Sequence, residues 1–264
     1  MRDVFIAAGL RTPIAHRGGA LAHVLPEELG ACVIRAMLRR LGLGGEALSG
    51  VLAGNAVGTG GNIARLMALR AGLPEEVPSC TVDMQCASAA AAISLAAAKI
   101  ASGQGECFLA GGMESASLQP LRVYDARDPR HALVPDGVYR TAQFSPGELA
   151  EDAMLRGAER VMQQESVTRA ELDAAVLRSH RLAAAAWWEG LLGDVVLPLP
   201  ECARDTGIRP QLTQRLLDRL PPHFGPGTLL NAGMPVRFTT VRRSCCSPAT
   251  RSCAAKDGSL WPVW

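Results

Sequence analysis

The sequence predicts an α/β fold around a mostly parallel sheet. Two observations carry this: short apolar runs of strand length alternate with longer helical patterns through residue 110, and Gly, Pro or Ser marks most changeovers. Val4–Ala8 predicts a short buried strand. Pro26 to Leu41 predicts a helix, with Pro at an early position, apolar Leu29, Cys32, Val33, Ala36 and Met37, and arginines at its end. Val51–Ala53 predicts a second strand, and Ile63–Ala71 a second helix stopped by Gly72-Leu73-Pro74. Ser79–Asp83 is a third strand, followed by an Ala-rich helix from near Cys86 to Ala101 that Ser102-Gly103 stops. Cys107–Ala110 makes a fourth strand, ended by Gly111-Gly112.

From about Ser117 the character changes. Gln119–Gly147 holds prolines, arginines and aromatics with no period, which predicts a long loop or lid. Two amphipathic helices follow, Glu148–Gln164 and Thr168–Ala186. Thr168 and Glu171 form a capping-box signal at the start of the second. Val195–Leu197 predicts a strand and Pro210–Leu220 another helix. The expected organisation is an α/β part over 1–118, an inserted lobe over 119–233, and a tail of different composition over 234–264. No internal repeat is present.

The composition is that of a globular protein: 264 residues, 48% hydrophobic and 20% charged, enough to bury a core. A net charge of +2 gives no reason to expect nucleic acid or a membrane surface as the main partner. Lys99 interrupts the longest apolar stretch, and the N-terminus carries no signal-peptide pattern, so the default expectation is cytoplasmic. Cys32, Cys80, Cys86, Cys107 and Cys202 show no CxxC spacing. That argues against a bound metal or a disulfide framework and fits a reducing compartment.

The sharpest local feature is VPSCTVDMQCASAAAAISLAAAKIASGQGECFLAGGMESAS. It puts Cys86 at a strand-to-helix junction, followed by the small residues Ala87, Ser88, Ala89 and Ala90. Free N–H groups and the positive end of the helix dipole favour a thiolate there. Small neighbours let an extended substrate reach the sulfur. A thiolate suits acyl transfer because it exchanges one thioester for another of similar energy. An isolated cysteine is more often a small buried hydrophobe; here the whole neighbourhood argues otherwise.

That neighbourhood resembles the thiolase family. RTPIAHRGGAL, GNAVGTGGNIARLMALRAGLP, VPSCTVDMQCAS and LAGGMESAS occur in family order and spacing. AAVLRSHRLAAAA (Ala174–Ala186) resembles the helix of the family's CoA-binding lobe, and DTGIRPQLTQRLLDRLPPHFGPGTLLNAG its exit, so the resemblance covers Met1 to Gly233. It implies a five-layer αβαβα fold of two similar halves, of which this chain holds the first with its inserted helical lobe. It implies that Cys86 accepts the acyl group and that Met154, Arg209 and Phe224 line the CoA channel. It also implies coenzyme A thioesters as substrates, no permanently bound cofactor, and a homodimer or homotetramer. Three departures stand out: Ala89 for a usual glycine, Ala153 for a frequent histidine, and Pro221-Pro222 for a common arginine-proline. They suggest an atypical branch with altered substrate preference.

The family's chemistry also needs a histidine in Gly-His-Pro, a second cysteine in Cys-x-Gly-Gly and an Asn-Glu segment, all from its C-terminal half. None occurs here. His16, His23, His131, His180 and His223 show no catalytic partner pattern and are expected as surface or lid residues. After Gly233 the chain reads MPVRFTTVRRSCCSP, neither a helix nor a strand pattern. Restoring one base before the Met234 codon permits NACPVHDGAAVVLLS, which resembles the family's continuation. The expectation is therefore a one-base deletion between Gly233 and Met234 and a tail that does not pack. The leading functional expectation is a thiolase-type acyltransferase by ancestry whose 264 residues are inactive. The others are a non-catalytic CoA-thioester-binding or subunit-pairing remnant, a product that scarcely folds, and a ketosynthase-like condensing enzyme.

Overall fold

Pro26 in the first turn and Gly42 just past the last set the limits of helix α1 (Pro26–Leu41). Gly42 adopts φ 65°, and its N–H reaches Leu38 and Arg39 carbonyls, closing the helix with a left-handed cap. Helix α2 (Ile63–Arg70) starts at Asn62, whose side chain accepts from the Arg65 N–H. Helix α3 (Ser88–Ala101) turns Ala92, Ala96 and Ile100 inward at intervals of four.

The computed structural model describes residues 2–58, 61–141, 143, 145–146, 152–233, 239–240, 242–248 and 261–262. They fall into two units. The first comprises Met1–Gln119, Gly193–Thr206 and Phe238–Trp264, and the second Pro120–Leu192 and Gly207–Arg237. The segment 193–206, expected from sequence within the 119–233 lobe, therefore groups with the first unit. The bidentate Arg11–Asp205 pair, both bonds 2.7 Å, fastens its end to the N-terminal strand.

The first unit is built on a five-stranded sheet. Its strands are β2 (Ala8–Arg11), β4 (Gly50–Gly54), β5 (Ser79–Val82), β6 (Cys107–Met113) and β10 (Arg242–Pro248). The order is β2-β10-β6-β4-β5, with β4 parallel to β5 and β6, and β10 antiparallel to β2 and β6. Alternation along the strands sorts the core. Val51, Ala53, Leu109 and Met113 join Val33, Ile34, Met37 and Met67 of α1 and α2. Leu52, Phe108 and Ala110 join Ala92, Ala96 and Ile100 of α3. Helices thus cover both faces of the sheet. Four short strands pair outside it in this unit: β1 (Phe5–Ile6) with β11 (Trp261–Pro262), and β3 (Ala15–His16) with β9 (Thr239–Thr240).

Several elements differ from the sequence expectation. Val4–Ala8 is not one strand: β1 and β2 divide that region, and pairing runs on to Arg11. Val195–Leu197 contributes a single bridge, Val196 to Arg11. Arg242–Pro248 forms a strand despite lacking a strand pattern, because β2 and β6 present unpaired main-chain groups on both sides of the gap it fills.

The second unit is sparer. Strands β7 (Arg122–Val123) and β8 (Val138–Tyr139) form a hairpin within the stretch expected as loop. Tyr124 and Tyr139 stack at 4.2 Å, and the Arg130 guanidinium lies 4.6 Å from the Tyr124 ring centroid. Helix α4 spans Ala153–Gln164; the expected start at 148 lies outside the described residues. Helix α5 (Arg169–Trp188) opens with the capping box of Thr168 and Glu171. The helix expected over Pro210–Leu220 shrinks to α6 (Gln214–Leu217), capped by Thr213. Pro221-Pro222 follows, and such residues cannot extend it. Asp173 ties α5 to α6, accepting from Arg169 Nε at 2.9 Å and Gln214 Nε2 at 2.8 Å.

Candidate active site

Cys86 sits in a tight elbow between β5 and α3. Asp83 Oδ1 accepts the Gln85 N–H at 2.9 Å. Ser88 Oγ accepts the Met84 N–H at 2.8 Å and donates to the Gln85 carbonyl at 2.6 Å. These bonds hold Gln85 at φ 52°, a left-handed conformation that costs a non-glycine residue about 1 kcal/mol or more. Cys86 comes next, exposed, just ahead of Ala87, the N-cap of α3. The thiol therefore stands before the helix rather than within its first turn.

A floor of two glycines lets α3 begin this close to the sheet. A Cβ on Gly54 would lie 2.5 Å from the Ala89 nitrogen, and one on Gly112 would lie 2.9 Å from the Ala89 methyl. Ala89, the departure noted in the sequence, fits because position 112 has no side chain. Gly111-Gly112, expected to end the fourth strand, instead continue β6 to Met113, paired with Ala53 and Gly54 of β4.

Beside the elbow, the ends of β4 and β6 are joined through Glu114. Its Oε2 accepts the Ala56 and Val57 N–H groups at 2.9 and 3.1 Å, and its Oε1 accepts Asn55 Nδ2 at 2.7 Å. The Asn55 N–H in turn bonds the Val82 carbonyl at 3.0 Å, linking this cluster to the strand that leads into Cys86. Burial pushes the Glu114 carboxyl above its ordinary range, and these hydrogen bonds oppose the shift. The other cysteines differ. Cys107 and Cys202 are buried, and burial pushes the Cys202 thiol up; Cys80 is the other exposed thiol among those described.

Cys86 belongs to the first unit, and Met154, Arg209 and Phe224 to the second. Met154 is the second residue of α4, with 61% of its surface exposed. The half-buried Arg209 donates its backbone N–H to His180 Nδ1 at 3.2 Å. Phe224 packs edge-on against His223, and the Arg156 guanidinium lies 4.9 Å from its ring centroid.

The profile of the family described as "Thiolase, N-terminal domain" matches residues 4–248. The chain belongs to the thiolase family. Similar proteins include one from Staphylococcus haemolyticus, provisionally named acetyl-CoA C-acetyltransferase VraB. It is 32% identical over 233 residues, which is 87% of this chain and 61% of that protein. A protein of the same provisional name from Staphylococcus aureus strain MRSA252 is 33% identical over 261 residues, 98% of this chain and 64% of that one. The chain therefore spans less than two thirds of the length of these relatives. The crystal structure of the Bacillus anthracis acetyl-CoA acetyltransferase superposes with a TM-score of 0.83 at 28% identity, covering 100% of this chain and 69% of that one. The α/β fold is thus of the thiolase type.

Two residues of this thiolase chain escaped the sequence reading. Glu114 was in plain view within LAGGMESAS, as an acid directly after a buried strand, a position where a carboxylate meets free loop N–H groups. His180 was expected as a surface residue, yet it is half-buried and holds the Arg209 backbone. Burial first, and the Arg209 charge second, push its imidazole below its ordinary value. Nothing in the α5 pattern announced that contact, because its partner is 29 residues away.

Proposed function

We propose that this chain carries the acyl-accepting part of a thiolase-type acyltransferase. The overall reaction is acyl-CoA plus acetyl-CoA exchanging with 3-oxoacyl-CoA plus CoA through an acyl group on Cys86. The observation that carries this reading is the exposed Cys86 thiol on a strained elbow at the carboxyl ends of parallel strands. In the first step the Cys86 thiolate adds to the thioester carbonyl carbon. The CoA thiolate then leaves and is protonated, so one thioester replaces another. In the second step acetyl-CoA loses a methyl proton to a base, and its carbanion attacks the acyl–Cys86 carbonyl and releases the thiolate.

The Cys-x-Gly-Gly cysteine that the family resemblance makes the base of the second step does not occur in these 264 residues, nor does the Gly-His-Pro histidine that activates the nucleophile. We therefore expect acylation of Cys86 with negligible turnover. Turnover near that of ordinary enzymes, about 10 per second, would refute this. The second unit is assigned CoA binding through Met154, Arg209 and Phe224. Arg209 would hold phosphate, and Phe224 and Met154 would pack on the adenine or pantetheine. The same reading gives a cytoplasmic homodimer or homotetramer with no permanently bound cofactor.

A second reading, a non-catalytic CoA-thioester-binding or subunit-pairing protein, draws on the exposed apolar side chains Leu66, Leu69 and Leu95 of α2 and α3. The deciding experiment incubates the 264-residue protein with acetyl-CoA and locates acetyl groups by mass spectrometry. Acetyl on Cys86, lost in Cys86→Ser and not found on the similarly exposed Cys80, supports the acyltransferase reading. Equal acetylation of Cys80 and Cys86 would sink it. CoA binding without any acetyl transfer favours the second reading.

A further inference from the structure

Glu159 is 6% exposed, and among the described residues it has no cationic partner within ion-pair distance. What it has is main chain. Its Oε1 accepts the Leu229 N–H at 2.7 Å and Gln163 Nε2 at 2.9 Å, and its Oε2 accepts the Leu230 N–H at 2.9 Å. A carboxyl group removed from water at this position requires those donors.

Leu229 and Leu230 form the return limb of a narrow loop. Pro222 bridges to Asn231, and the His223 N–H donates to the Leu230 carbonyl at 2.7 Å. Thr228 Oγ1 closes the tip by donating to the Gly225 carbonyl at 2.8 Å. Gly225 and Gly227 take φ 96° and 86°, conformations open to glycine alone at little cost. Phe224 stands on the outgoing limb of this loop. One turn before Glu159 on the same helix, Arg156 meets the Phe224 ring. Helix α4 therefore grips both limbs, the ring through Arg156 and the opposing backbone through Glu159.

We propose that Glu159 is a positioning residue that sets the place of Phe224 for coenzyme A. This rests on the reading of Phe224 as a CoA contact. Glu159→Gln keeps the shape but offers one acceptor oxygen in place of two, so it cannot satisfy both backbone donors.

The test labels the full 264-residue protein with 4-fluorophenylalanine and assigns the Phe224 fluorine signal, one of five, with Phe224→Leu. In Glu159→Gln the Phe224 signal should move while the other four stay. Asp173→Asn, which loosens α5 and α6 in the same unit, should leave it in place. Coenzyme A added to the wild type should shift the Phe224 signal, and its affinity should fall about tenfold in Glu159→Gln. An unmoved Phe224 signal in Glu159→Gln overturns the positioning role. So does equal movement in Asp173→Asn, or unchanged CoA affinity in Glu159→Gln. A Phe224 signal that moves in Glu159→Gln, in a wild type that ignores coenzyme A, upholds the positioning of the loop. That outcome overturns instead the assignment of Phe224 to CoA.

Discussion

In the first unit most buried side chains belong to apolar clusters, as Val33, Met37, Met67 and Leu109 do on one face of the sheet and Ala96 and Ile100 on the other. In the second unit the most shielded side chains include Glu159, Asp173 and Asn231, alongside Leu217 and Leu230. Large apolar groups face outward in both units, Met84 at 62% exposed in the first and Trp188 at 80% in the second. Apolar burial contributes in proportion to area, about 25 cal/mol per Å², and has no direction. Hydrogen-bonded clasps contribute about 1 kcal/mol each but fix angles and distances. The first unit thus supplies bulk stability to the Cys86 elbow, while the second places backbone and rings through a few directional contacts.

The strongest challenge to that contrast is truncation of Met37 in the first core. Met37→Ala should cost about 2–5 kcal/mol in urea unfolding, since the residue is fully buried between α1 and the sheet. Gly54→Ala should cost about 1–3 kcal/mol or more, because its methyl meets the backbone of α3 and not a movable side chain. It should also slow alkylation of Cys86 relative to Cys80.

Asp173→Ala tests the other side of the comparison. It leaves Arg169 and Gln214 without their shared acceptor, and about 1–3 kcal/mol should be lost locally, read as faster amide exchange in α5 and α6. A loss matching that of Met37→Ala would show that the second unit leans as heavily on burial as the first. Thr168→Ala should cost about 1 kcal/mol through the lost capping box, measured as fraying of α5.

The smallest effect is a pH response of opposite sign in the two units. Burial raises Glu114 above 4.5, so its contribution is complete below that value and is lost as pH rises through the folded-state value. His180 is lowered from 6.5, so its contribution is complete above 6.5 and is lost as pH falls through the folded-state value. In melting temperature against pH, Glu114→Gln should flatten only the first dependence and His180→Gln only the second.

The sequence was most legible where local signals and tertiary demand agreed. Pro26 and Gly42 bound α1 at both ends, and the capping box marked the start of α5. It was least legible where distant partners decide. Gly111-Gly112 look like a strand terminator until α3 is seen resting above them. The residues Gln214–Leu217 make one helical turn where a longer helix was predicted, because Thr213 starts it late and Pro221 stops its continuation. At the candidate site, Cys86 could be picked out from its small neighbours and its place between strand and helix. The acceptor roles of Glu159 and His180 could not, since the N–H groups they capture belong to chain segments 29 to 71 residues away.

The glycine floor beneath α3 has an evolutionary corollary. The Ala89 methyl occupies the clearance that the missing side chain at 112 leaves, so the two positions share one small allotment of space. In a combinatorial library, a side chain at 112 should survive only when position 89 is glycine and the Gly54 carbonyl, 3.0 Å from the added Cβ, gives way, while position 54 meets main chain at 2.5 Å and should tolerate no substitution. Residues 89 and 112 should accordingly co-vary as an exchange pair, and residue 54 should remain invariant whatever they do.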